Sequence, residues 1–149
     1  MVKTPIPGPY DWAGQVESQR LAASAWVALA DGKKDEAVSL ARQAADLDDL
    51  TGKHPVTPGS VLPPRELLGD MLLELGRPAD ALAAYEASLR SAPNRFNGLY
   101  GAARAAEASG APAKARGYYE TLVANCAGSS GTRAELGQAR RFLAASASK

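Results

Sequence analysis

The chain has 149 residues, enough for one domain with a buried core, and its 17 basic and 16 acidic side chains give a net charge of +1. This balance, with no run of Lys or Arg, argues against recognition of nucleic acid or of an anionic membrane surface, since both depend on clustered positive charge. A single cysteine, Cys126, excludes an internal disulfide and a cysteine-based zinc site.

The composition and the spacing of apolar residues predict an all-α fold. Alanine is the most frequent residue and β-branched residues are sparse, which favours close-packed helices over sheets. Apolar side chains recur at helical spacing along most of the chain. In chain order, the predicted helices span residues 12–30, 34–49, 64–75, 78–91, 95–109, 112–126 and 132–146.

Two segments of the chain are similar in sequence. The first begins at Gly76 and the second at Gly110, and the distance between these glycines is the repeat spacing. GRPADALAAYEASL (Gly76–Leu89) aligns with GAPAKARGYYETLV (Gly110–Val123), and a fainter copy begins at Gly32. Each copy predicts a helical hairpin, because a glycine that can adopt a left-handed conformation ends the first helix. We therefore predict one domain made of three hairpins and a C-terminal capping helix, over residues 12–50, 62–93, 95–127 and 132–146.

The second hairpin carries a specific order of small and aromatic residues. These residues are Leu68, Gly69, Leu72, Gly76, Ala81, Tyr85 and Pro93. In this order they resemble the tetratricopeptide repeat family, whose pattern is W-x2-L-G-x2-Y, then G, then A-x3-F or Y, then P. The resemblance covers about residues 12–126 and implies a short right-handed superhelix. The segment from His54 to Leu89 also resembles the C-terminal part of larger bacterial proteins of this family.

The resemblance implies a non-catalytic scaffold that binds a peptide or protein, or the rest of a longer parent chain. In this family the first helix of each hairpin lines a concave groove. The residues that the repeat register projects into this groove include Trp26, Glu66, Asp70, Asn97, Tyr100 and Arg104. Trp26 and Tyr100 would act as aromatic anchors and Arg104 would bind a carboxylate, although a place in the core is the alternative for Trp26.

A loop insertion at residues 51–63 separates the first two hairpins by ten residues more than the repeat requires. Its prolines prevent either neighbouring helix from continuing through it, and it holds the single histidine, His54. The first interpretation of His54 is structural, with a ring nitrogen bonded to a loop carbonyl. The alternative is a small-ligand or metal-binding module formed by the His54 loop and the adjacent Glu66/Asp70 helix face.

Catalytic and targeting motifs are missing from the sequence. It contains no G-x-S-x-G, no H-E-x-x-H and no phosphate-binding G-x-x-x-x-G-K, so we predict neither an enzyme nor a cofactor. It also contains neither a signal peptide nor an apolar stretch of the ~20 residues that span a bilayer. We expect a soluble chain, cytoplasmic or exported as part of a longer protein, whose oligomeric state the sequence does not indicate.

Overall fold

The structure, a computed structural model, describes residues 10–51, 60–129 and 133–147, and these residues form seven α-helices and no strand. The helices are α1 (Trp12–Ala30), α2 (Lys34–Thr51), α3 (Pro64–Glu74), α4 (Pro78–Ser91), α5 (Phe96–Ala108), α6 (Pro112–Asn125) and α7 (Ala134–Ala147). The predicted all-α fold is confirmed, and no helix boundary differs from its prediction by more than two residues. Most of the predicted loop insertion, with His54, lies outside the described residues.

The described helices fall into two compact units that divide between Pro64 and Arg65. In the first unit, α1 and α2 pack antiparallel through small side chains: Ala25, Ala37 and Ala44 are completely buried. The buried hydroxyl of Ser18 donates a hydrogen bond of 2.9 Å to the carbonyl of Ala44. Alanine at these positions lets the two helix backbones approach closely, which explains the alanine-rich composition of this hairpin.

The first helix of each hairpin ends at a glycine with positive φ. The three residues are Gly32, Gly76 and Gly110, with φ of 79°, 70° and 76°. At the end of α3, the N–H of Gly76 donates to the carbonyl of Leu73 (3.0 Å) and the N–H of Arg77 donates to the carbonyl of Leu72 (2.8 Å). This is a Schellman motif, which binds helix-end carbonyls and turns the chain into α4.

We expect Gly76→Ala to lower the free energy of unfolding by about 1 kcal/mol, because a Cβ atom disfavours the left-handed conformation. Space is not the cause, since a Cβ at this position would meet nothing within 4 Å. Urea unfolding measures the change. Gly76→Asn is the control, since asparagine tolerates this conformation better, and an equal loss in both variants would contradict the conformational explanation.

Tyr85 on α4 packs between α3 and α5 at the start of the second unit. Its ring is 1% exposed and lies between two glycines, Gly69 on α3 and Gly101 on α5. A Cβ at Gly69 would lie 2.7 Å from the ring atom Cζ, and one at Gly101 would lie closer still. The absence of a side chain at both glycines is therefore what lets the ring enter between the two helices.

Tyr119 on α6 has the equivalent position in the next repeat. It is 2% exposed and packs with Leu99 and Ala103 of α5, and with Ala139 of α7. Its ring centroid lies 5.0 Å from that of Phe142. The predicted capping helix α7 thus closes the core of the second unit with its apolar side and leaves its polar side exposed.

Candidate functional site

Three predicted groove residues share one side of α5. Asn97, Tyr100 and Arg104 are spaced by three and four residues, which places them in one row along the helix. Asn97 and Arg104 are exposed, whereas Tyr100 is half-buried, with its ring centroid 6.4 Å from that of Tyr119. The guanidinium carbon of Arg104 lies 5.7 Å from the centroid of the Tyr100 ring, within the range of a cation–π interaction.

Residues of α7, and Arg133 just before it, complete this row from the neighbouring helix. The hydroxyl of Tyr100 donates a hydrogen bond to Oε1 of Gln138. The guanidinium carbon of Arg133 lies 3.9 Å from the centroid of the Phe96 ring, and its Nη2 donates a long hydrogen bond of 3.5 Å to Oδ1 of Asn97. We call this surface the α5/α7 face; its residues are Asn97, Tyr100, Arg104, Arg133 and Gln138.

Asp70 on α3 connects this surface to the core. Its Oδ1 accepts a hydrogen bond of 2.5 Å from the hydroxyl of Tyr85. Partial removal of water raises the pKa of the Asp70 carboxyl above its usual range, against the opposing effects of the Tyr85 hydrogen bond and the charge of Arg104. The pKa of Tyr85 is also raised, by burial and then by its bond to Asp70, so this hydroxyl remains a neutral donor.

The Glu66 carboxylate lies beneath the surface rather than on it. The residue is 3% exposed, and its Oε1 is 2.7 Å from Nε of Arg95, while Nη2 of Arg95 donates to Oε2 at 3.2 Å. A Cβ added to Gly98 would lie 2.9 Å from Oε1, so the carboxylate fills the space that this glycine leaves. Glu66 therefore fastens α3 to the start of α5 through a two-bond ion pair.

The other two predicted site residues lie elsewhere. Trp26 is half-buried on α1 in the first unit, and its role as an anchor stays a prediction. His54 lies outside the described residues. Within residues 10–51, 60–129 and 133–147, no group of three or more His, Cys, Asp or Glu side chains could hold a metal ion.

Sequence reasoning missed two residues of the α5/α7 face, Arg133 and Gln138. The repeat register contained a signal for the second of them, because Asp70, Arg104 and Gln138 follow one another at the spacing of the repeat. Extending the register by one more period into α7 would have selected Gln138. Arg133 had no such signal, because it precedes the first turn of α7 and its position depends on the ring of Phe96.

Comparisons with known proteins agree on the architecture. The family model described as tetratricopeptide repeat matches residues 67–130. No curated protein matches the chain in sequence. Among the helices that the structure describes, none is both long and apolar enough to cross a membrane.

Three solved structures have a similar fold. PcrH from Pseudomonas aeruginosa is 20% identical, with a TM-score of 0.65 and coverage of 86% of this chain and 89% of that chain. PcrH in complex with the chaperone binding region of PopD is also 20% identical, with a TM-score of 0.66 and coverage of 87% of this chain and 90% of that chain. The first TPR of Spaghetti, bound to an HSP90 peptide, is 17% identical, with a TM-score of 0.66 and coverage of 88% of this chain and 94% of that chain.

Proposed function

We propose that this chain, whose residues 67–130 match the tetratricopeptide repeat model, is a non-catalytic scaffold that binds an extended segment of a partner protein on the α5/α7 face. The observation that carries the proposal is the row of exposed polar side chains around Tyr100, joined across two helices by the bond from Tyr100 to Gln138. The partner segment would belong to another protein or to a longer parent chain that includes these residues.

Tyr100 is suited to anchor a ligand because its ring is already held in place. Its hydroxyl is bonded to Gln138, Arg104 lies over the ring, and Tyr119 lies behind it. A fixed aromatic side chain loses little conformational entropy when a partner binds, and aromatic residues dominate the energetics of many protein interfaces. Asn97 and Gln138 add amide groups that can pair with the backbone of an extended segment.

Proteins with this fold support the class of partner. Two of the similar structures contain a bound polypeptide: the chaperone binding region of PopD in one, and an HSP90 peptide in the other. At 20% and 17% identity these likenesses show the fold alone. They support peptide binding as an activity that this architecture performs, and they say nothing about the partner of this chain.

The chemistry of the described residues around the face suits binding rather than catalysis. The hydroxyls of Tyr85 and Tyr119 are bonded to Asp70 and Glu107, and burial together with these bonds raises the pKa of both phenols. Both side chains therefore stay neutral at physiological pH and serve as hydrogen-bond donors. The alternative, a ligand or metal site at the His54 loop, gains no support from the described residues, and Glu66 is already bound by Arg95.

Site-specific photocrosslinking in cells tests the proposal. A photoreactive residue at Asn97 should yield a crosslinked product, whereas the same residue at Thr121, exposed on α6, should not. The crosslink should be lost in a Tyr100→Ala/Arg104→Ala variant that remains helical by circular dichroism. Equal products from both positions, or a product that survives the double substitution, would reject this placement of the site. Mass spectrometry of the product separates a partner protein from a parent chain.

A further inference from the structure

Helix α1 carries apolar side chains on two opposite sides. On one side, Leu21 and Ala25 are buried in the hairpin that α1 forms with α2. On the other side, Trp12 is 55% exposed, Val16 65% and Val27 61%. A helix at the surface of a protein usually places charged and polar residues on the side away from the core. The hairpin therefore leaves an apolar side of α1 uncovered.

The residues along this uncovered side follow a heptad pattern. Successive members are separated by four and three residues in alternation, which is the spacing of a coiled-coil seam. We call this surface the α1 seam; its residues are Trp12, Val16, Gln19, Ala23, Trp26 and Ala30. Trp26 is half-buried and the other five are exposed. None of the six is charged, and Arg20 beside them is paired with Glu17 of the same helix.

The second unit shows how one repeat of this protein packs on the helix before it. In α5, a Cβ added to Gly98 would lie 3.1 Å from Cδ2 of Leu89 on α4, so the missing side chain leaves room for that leucine. Counted back from Gly110 and Gly32, the glycines that end α5 and α1, the same position in α1 holds Arg20. Its long side chain would fill that room. The α1 seam is therefore not built to receive a helix in the way that α5 receives α4.

We propose that the α1 seam binds the α1 seam of a second copy of this chain, with the two helices antiparallel about a two-fold axis. Each wider side chain then meets a narrower one, which fills the space between the helices evenly. A parallel pair in register would instead place tryptophan against tryptophan and alanine against alanine. The contacts of the antiparallel pair are Trp12 with Ala30, Trp26 with Val16, and Gln19 with Ala23.

The size of the seam suits a reversible dimer. The 19 residues of α1 extend over about 28 Å at the rise of an α-helix. The seam and Val27 beside it expose roughly 500 Å² on each copy, compared with about 800 Å² per partner in a standard protein interface. We therefore expect association with a dissociation constant in the range of roughly 10–100 µM. In this dimer Trp26 would contact the second copy, a role different from the groove anchor predicted for it.

Sedimentation velocity across about 5–500 µM protein tests the proposal, because the population of a reversible dimer depends on concentration. The wild type should change from monomer to dimer. Ala23→Glu puts a charge at the centre of the seam in both copies and should weaken the dimer at least about tenfold. Ala83→Glu, the same change at an exposed alanine of α4, is the matched control and should have no effect. A wild type that stays monomeric, or a dimer that tolerates Ala23→Glu while both variants remain helical, would overturn the proposal.

Cysteine crosslinking tests the direction of the two helices. The native Cys126 is first replaced by serine. Gln19→Cys in one copy and Ala23→Cys in a differently tagged copy should then give a disulfide-linked heterodimer after oxidation with copper phenanthroline, because these positions face each other in the antiparallel pair. Each variant alone should give little product. Efficient crosslinking of Gln19→Cys with itself would indicate a parallel pair and would contradict the proposed arrangement.

The two tryptophans of the protein report on any other occupant of the seam, because both belong to it. As the dimer forms, their emission should shift to shorter wavelength and their quenching by iodide should decrease. Tryptophans that are shielded from iodide in a chain that remains monomeric would identify another segment of the same chain as the occupant, which would also overturn the proposal. All these measurements concern α1, so their outcome is independent of peptide binding on the α5/α7 face.

Discussion

Arg95→Ala should lower the free energy of unfolding by about 3 kcal/mol, because it leaves the Glu66 carboxylate buried without its partner. The Glu66 side chain is 4% exposed and the Arg95 side chain 29%, with 2.7 Å between Oε1 and Nε. Water can reach the arginine but not the carboxylate, so the carboxylate bears most of the cost of losing the pair. Urea unfolding followed by circular dichroism measures the difference.

Two further variants test this explanation. Arg116→Ala removes an exposed ion pair with Glu120 and should change stability by no more than about 0.5 kcal/mol. Glu66→Leu/Arg95→Met removes both charges of the buried pair and should be more stable than Arg95→Ala alone. If Arg95→Ala costs no more than Arg116→Ala, the pair does not hold α3 against α5 in the way proposed.

Gly101→Ala should lower the free energy of unfolding by about 2 kcal/mol, because the added methyl group would overlap the Tyr85 ring. The ring is 1% exposed and is enclosed on its other side by Gly69, so it cannot move away. The same substitution in the middle of an exposed helix usually stabilises a protein. Thermal or urea unfolding should therefore show an effect of the opposite sign to the usual one.

Gly117→Ala provides the matched control for this prediction. Gly117 is in α6, and a Cβ added there would meet nothing within 4 Å. We expect this variant to be more stable than the wild type by about 0.5–1 kcal/mol. The cost of Gly101→Ala should also shrink when Tyr85 is replaced by Leu, because the overlapping ring is then absent. A cost that does not depend on residue 85 would contradict the steric explanation.

Both predictions concern contacts that hold α5 in position, and α5 carries three residues of the proposed binding site. Glu66 and Arg95 fasten its first turn, and Tyr85 lies against its middle at Gly101. Asn97, Tyr100 and Arg104 project from the same helix. The variants that weaken these contacts should therefore also weaken peptide binding, even though they replace no residue of the α5/α7 face.

The sequence alone was sufficient to predict the helices, their ends and the repeat fold. These properties are local: apolar spacing predicts each helix, and a glycine in the left-handed conformation ends α1, α3 and α5. The repeat spacing also needs no knowledge of tertiary contacts, since it is found by comparing one segment of the sequence with another. It also identified Asn97, Tyr100 and Arg104 as residues on one side of α5, which the structure places together.

Only the tertiary structure decided which side chains of neighbouring helices contact one another. Repeat register assigned Glu66 to the groove, but its partner Arg95 is 29 residues away, and only the packing of α3 on α5 buries the two together. Gly101 has no special position in the repeat pattern, and its importance appears only because the Tyr85 ring lies against it. Helical periodicity gives the direction in which a side chain leaves its own helix. Which group it meets there depends on how neighbouring helices pack, and that is set by non-local contacts.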